Sequence, residues 1–197
     1  MTKQKVLQRN TANELNINDR QVSGYAVVFD TWSTGLPFKE IIQRGAIDLN
    51  TIKESDVFAK LNHRDDVILA RSKYGEGSLE LTIDKKGLKY SFSAPNTEWG
   101  ETLLEHIRRG EIDESSFAFT VADGGEVIKR NADGELLHYI TKIDRLFDIS
   151  PVFQAAYSAT NCEARNADEK QELLEKLRKN EVIDKINSIE TEFLLSI

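Results

Sequence analysis

Three observations predict a mainly β chain of the α+β class, a curved antiparallel β-barrel with flanking helices. Short alternating apolar runs recur between Val22 and Ile149. Turn-forming clusters at residues 84–87, 123–125 and 133–134 separate them. Helical periodicity is confined to a few segments. Many short strands punctuated by turns favour a closed or strongly curved sheet, because closure removes free edges.

The elements follow in order. Residues 1–20 are polar, include Asn10, Asn13, Asn16 and Asn18, and are expected to form a solvated or weakly ordered arm. The first strand is predicted at residues 22–29, with Tyr25, Val27 and Phe29 on one face. Residues 38–42 follow a turn at Gly35 and Pro37, and a short helical segment is expected near 46–52. Val57, Ala59 and Leu61 alternate with Lys60 on the other side. Residues 78–83 and 88–94 flank Asp84-Lys-Lys-Gly87 as a hairpin. The period then changes: Leu103, Leu104 and Ile107 predict a helix over 97–109, capped by Asn96 or Thr97, with Glu98 and Glu101 in its first turn. Strand patterns return at 116–121, 126–130 and 136–149. The last 37 residues carry nine acidic and six basic side chains and neither Pro nor Gly. There Leu173, Leu174, Leu177, Val182, Ile186, Ile189 and Phe193 recur at roughly helical spacing. The division predicted is an N-terminal arm at 1–20, a main domain at 21–160 and a charged amphipathic helical tail at 161–197.

Composition narrows the function. With 197 residues, 26 basic against 33 acidic side chains and a net charge of −7, the composition argues against a general nucleic-acid binder while leaving room for a local basic patch. No apolar run is long enough to span a membrane, and residues 1–20 lack the apolar centre of a secretory signal. A single cysteine, Cys162, rules out an internal disulfide framework. His63, His106 and His138 are far apart and show no paired-ligand spacing, and no phosphate-binding glycine motif is present, so no metal or cofactor is expected.

Three segments hold chemistry-bearing side chains. His63 lies where a strand ends in Leu61-Asn-His63, a placement that suits a general base but equally a surface turn. Ser115 and Ser116 open the apolar strand Phe117-Ala-Phe119; a serine there is a nucleophile only beside a base, and otherwise satisfies loop backbone groups. Asp148 sits inside the apolar run Leu146-Phe-Asp-Ile149 and needs a partner: the His63 imidazole, Arg145 or a loop amide. Glu114 and His138 are rival third members.

The ordered series of these segments resembles the prohead proteases of tailed bacteriophages, serine peptidases related to herpesvirus assemblins. The resemblance begins at Val22-Ser-Gly-Tyr-Ala-Val-Val-Phe29 and continues through Phe38-Lys-Glu-Ile-Ile-Gln-Arg-Gly-Ala46, Leu61-Asn-His63, Leu69-Ala-Arg71, Gly77-Ser-Leu-Glu-Leu81 and the turn from Asp84 to Leu88. It resumes at Arg109-Gly110, Ser116-Phe-Ala-Phe119, Leu146-Phe-Asp-Ile-Ser-Pro-Val152 and Ala155-Ala-Tyr157. It implies His63 as general base, Ser116 as nucleophile and Asp148 as the orienting carboxylate. Asp148 stands where the family more often shows Glu, one methylene longer. Ala70 and Ala118 replace the family's usual Gly, and Ala155 its Pro. The resemblance further implies a serine endopeptidase of capsid maturation, acting inside the assembling prohead in the host cytoplasm. Its expected partners are the major capsid protein precursor, the scaffold and itself, by autoprocessing and as a homodimer, with neither nucleic acid nor membrane. The alternative is a non-catalytic capsid assembly or scaffolding protein that keeps the fold. The tail either packs on its own domain or docks capsid or scaffold subunits through a Leu173/Leu177/Ile186/Phe193 face.

Overall fold

A computed structural model describes residues 4–12, 15–153 and 159–195, without the side chains at 10–12, 159–166, 189–190 and 192–195. The Ala155-Ala-Tyr157 segment and the side chains of Cys162 and Phe193 lie outside the described residues. The first strands are β1 (Leu7–Ala12), β2 (Asn16–Asn18), β3 (Gln21–Val28) and β4 (Lys39–Ile42). Helix α1 (Leu49–Lys53) leads into β5 (Asp56–Lys60), β6 (Ile68–Lys73), β7 (Glu76–Gly77), β8 (Glu80–Ile83) and β9 (Gly87–Ser93). Helix α2 (Glu98–Arg108) precedes β10 (Ile112–Val121), β11 (Glu126–Arg130), β12 (Leu136–Ile140) and β13 (Ile143–Phe153), and α3 (Ala159–Leu195) follows.

These strands form three sheets, ordered β1-β10-β13-β5-β6-β7, β2-β3-β9-β8 and β11-β12-β4. The chain is mixed α+β and mostly β, but the sheets are not purely antiparallel. β13 runs parallel to β5, and β12 parallel to β4. Parallel neighbours require long crossovers; the one from β5 to β13 carries the strands β6–β12 and helix α2. None of the three strand orders closes on itself among the described residues.

One core unites the layers. Phe117 and Phe119 of β10 stack with ring centroids 4.9 Å apart, and join Val22, Ala59, Leu103 and Ile149 in the buried cluster. Helix α2 contributes Leu103, Leu104 and Ile107, the residues whose spacing predicts it. Its N-cap is Thr97, which accepts from the Gly100 amide. Gly100 is required there, since a Cβ would lie 2.0 Å from the Pro95 carbonyl oxygen. In the β8–β9 turn the Asp84 carboxylate accepts from the Lys86 and Gly87 amides, which explains why Asp opens it.

Three expectations change. The segment read as one strand at 136–149 is two, because the Thr141 and Lys142 amides turn to donate to the Gly125 carbonyl. The arm at 1–20 is not solvated throughout: β1 pairs along β10, and Arg9 is buried. The tail is one helix, and its apolar residues with described side chains do not share a face. Leu173 and Leu177 pack on Phe38, Ile128 and Leu136, while Val182, Ile183 and Ile186 are about half exposed. Val182 lies nine residues beyond Leu173, about two and a half turns, which places it on the opposite side of α3.

A buried ion network explains why β1 and α3 dock. Arg9 Nε and Nη2 donate to Glu40 at 2.6 and 2.9 Å, and Nη2 lies 3.2 Å from Glu169. His138 sits between Glu40 on Nδ1 (2.9 Å) and Glu126 on Nε2 (2.8 Å), and Lys176 of α3 pairs with Glu126. Burial alone would raise Glu40, but the Arg9 guanidinium and the His138 imidazole bring it down to about 2. Burial opposes charge on His138 too, yet the two carboxylates raise it above its ordinary value.

A depressed carboxylate stabilises the fold above its ordinary value of 4.5 and loses that effect as pH falls towards about 2. A raised histidine stabilises it fully below 6.5 and loses that effect as pH rises through its folded value. Both contributions are complete only between pH 4.5 and 6.5. The difference in unfolding free energy between the natural chain and a His138→Gln variant, from urea titrations, should be widest in that window and narrow on either side.

Candidate active site

Two backbone irregularities bring the chemistry-bearing side chains together. The first is in β13. Phe119 pairs with Leu146 but Ala118 with Asp148, so Phe147 is an extra residue in the ladder. Strict alternation would put Leu146 and Asp148 on one face. The bulge lets Leu146 and Ile149 both enter the core while Asp148 turns to the face that carries Ser116. Phe147 is pushed outward and exposed.

The second lies after β5. Asn62 and His63 both have left-handed backbones, with φ of 51° and 59°. Asn adopts this region readily and His less so, and each such residue stores strain of order 1 kcal/mol. The turn is fastened by the Asn62 amide on the Pro151 carbonyl (3.0 Å) and the Arg64 amide on Leu61 (3.1 Å). Arg64 lies over the Trp99 ring at 4.5 Å and pairs with Asp66. The chain therefore folds His63 back over the face of the sheet.

The result is a chain of contacts. His63 Nε2 lies 2.7 Å from Ser116 Oγ. His63 Nδ1 lies 3.3 Å from Asp148 Oδ2. This second contact is loose: Nδ1 is buried and makes no well-aligned hydrogen bond. Asp148, itself buried, accepts on Oδ1 from the Ser150 hydroxyl. The Lys60 ammonium stands 3.4 Å from Oδ2. Ser116 is fully buried, and the His63 side chain is 12% exposed, so the serine is screened from solvent.

Sequence reasoning left three candidates for the carboxylate side of the site. The group beside His63 is Asp148. His138 is held in the network of Glu40 and Glu126, and Glu114 lies two residues before Ser116 on β10. Arg145 pairs with Glu54 and Asp144 instead of with Asp148. Ser115 faces the opposite way from Ser116, its hydroxyl 2.8 Å from that of the core Tyr90. Ser150 and Lys60 went unrecognised as members of the group. The signal for Ser150 was its place two residues after Asp148, on the same strand face.

A hydroxyl on a histidine nitrogen, with a carboxylate behind the ring, is the constellation of a serine hydrolase. The chain belongs to the caudovirus prohead serine protease family, whose model matches residues 7–174. Its fold is similar to that of the bacteriophage T4 capsid assembly protease, gp21, with a TM-score of 0.50. The two are 11% identical, over 78% of this chain and 100% of that one. No curated protein matches the sequence.

Ser150 is the neutral group that fixes Asp148. Ser150→Ala removes one hydrogen bond to a charged acceptor, worth about 1.5–3 kcal/mol. In a peptidase that uses this site, cleavage should fall by about tenfold in this variant with the fold intact by circular dichroism, because the carboxylate is then free to turn from the ring. An unchanged rate would show that Asp148 is positioned without it.

Proposed function

We propose that this chain is the serine endopeptidase of a phage prohead, with Ser116 as nucleophile, His63 as general base and Asp148 as the orienting carboxylate. The observation that carries the reading is the 2.7 Å approach of Ser116 Oγ to His63 Nε2. For the hydroxyl to donate there, Nε2 must be unprotonated and Nδ1 must carry the proton toward Asp148. His63 takes the serine proton as Oγ attacks the peptide carbonyl, and the tetrahedral oxyanion forms. His63 then protonates the leaving amine, and water releases the acyl group by the reverse sequence. Strand β10 lies between β1 and β13, so its regular ladder amides are engaged in pairing. The break in register between Ala118 and Phe119 is where a backbone donor for the oxyanion is to be sought.

In this reading the substrates are the capsid protein precursor and scaffold, and the protease itself. Action falls inside the assembling prohead in the host cytoplasm. The protease body is the curved β layer that includes β1. The distal half of α3, which carries exposed Val182, Ile183 and Ile186, is the part available to another subunit, a second copy included.

Full burial of Ser116 and the unaligned Nδ1 favour a second reading, a capsid assembly protein that keeps the fold without turnover. Mass spectrometry of purified full-length protein separates the two. Peptidase action predicts internal cuts that fall by at least about 10³-fold in Ser116→Ala and in His63→Ala. Cuts that persist equally in both variants would come from a contaminant and refute the assignment. An intact natural chain that also leaves scaffold uncut would favour the second reading.

A further inference from the structure

We infer that Lys60 is a positioning residue of this site, which acts through Asp148 to set how firmly His63 holds its proton. The inference rests on the peptidase reading above. Lys60 ends β5, where β5 runs parallel to β13 and Phe58 pairs with Asp148. Its side chain crosses the Phe58 ring, with Nζ 5.9 Å from the centroid. The ammonium finishes between two carboxylates, 2.7 Å from Asp65 Oδ1 and 3.4 Å from Asp148 Oδ2. That Asp148 oxygen is the one His63 Nδ1 approaches, and the Ser150 hydroxyl occupies the other. One lysine and one imidazole therefore share a single carboxylate oxygen.

The sharing matters because His63 must be neutral before the reaction and cationic during it. An unopposed carboxylate behind the ring favours the cation and withdraws the base at neutral pH. A fixed ammonium on the same oxygen offsets that pull. The other charges around the site are largely paired among themselves. Arg64 binds Asp66 beside Trp99, and Arg71 binds Asp56 beyond Phe58. Glu114 stands on β10. Burial works against charge on Lys60, but Asp65 and Asp148 outweigh it and raise its proton affinity. Asp65 is 93% exposed and Lys60 17%, so the lysine is anchored at its outer end by a solvated partner.

Side-chain nuclear magnetic resonance of the three histidines, titrated in the full-length protein, tests this without requiring turnover. Lys60→Met should raise the His63 midpoint by about one pH unit, a tenfold change in the imidazole equilibrium. Lys60→Arg, which keeps the charge, should leave it within about 0.3 unit, and His106 should not respond. Asp65→Asn should move the midpoint the opposite way, since Lys60 then turns wholly to Asp148. That exposed change carries the test if Lys60→Met fails to fold. In cleavage assays the acid limb of kcat/KM should follow the midpoint while KM stays constant. A His63 midpoint unmoved by Lys60→Met, or moved alike by Lys60→Arg, overturns the inference; if Lys60→Met does not fold, a midpoint that fails to fall in Asp65→Asn does so. Absence of Ser116-dependent cleavage in the natural chain would instead overturn the peptidase reading, and the titration would still decide whether Lys60 acts on His63.

Discussion

A carboxylate buried in the middle of a sheet persists only where its charge is met on every side, and the candidate site is organised around that constraint. Asp148 is 4% exposed. It is met by the Ser150 hydroxyl, the Lys60 ammonium and the His63 ring, which come from two adjacent strands and the turn that follows one of them. The parallel pairing of β13 with β5 makes this possible, because it sets the end of β5 beside Asp148. An antiparallel neighbour would have carried the chain away from the site instead of into the His63 turn. The parallel pair, unexpected from the local pattern, is therefore the feature that assembles the chemistry.

Two described histidines meet carboxylates in opposite ways. His138 has a carboxylate on each nitrogen, which raises its proton affinity and ties it into the network that docks β1 and α3. His63 has a hydroxyl on one nitrogen and a loosely placed carboxylate behind the other. A cleft bordered by Lys5, Arg9, Glu126, His138, Glu169 and Lys176 overlies the structural network, and none of His63, Ser116 and Asp148 lines it. That cleft is therefore separate from the candidate site. The loose contact to Asp148 is also what a side chain one methylene shorter than Glu would give at this position.

Much of the fold was legible because local rules and tertiary packing agree. The spacing of Leu103, Leu104 and Ile107 gave α2, and Asp84 to Gly87 gave the β8–β9 turn, since each is decided by contacts within a few residues. The polar β1 misled because its burial depends on partners far along the chain: Arg9 is accommodated by Glu40 and Glu169, 31 and 160 positions away. Likewise α3 reads as one amphipathic stripe when only spacing is considered. Its early leucines answer to Phe38 and Leu136, and Val182, Ile183 and Ile186 lie around the axis from them. At the site, His63, Ser116 and Asp148 were visible as an ordered series, whereas the Phe147 bulge that turns Asp148 to the right face was not. Its trace in the sequence is the pair Leu146 and Ile149, both apolar and three apart, which breaks the alternation of a regular strand.

In the proposed mechanism a particular hydroxyl is made nucleophilic by a particular imidazole. Treatment of the full-length protein with diisopropyl fluorophosphate, followed by tandem mass spectrometry, measures this without a known substrate. A phosphorylated hydroxyl requires a base at that atom and room for a tetrahedral adduct. One adduct is expected, on Ser116, lost when His63 is replaced by alanine. Adducts spread over surface serines, or one on Ser116 that forms as readily without His63, would contradict it.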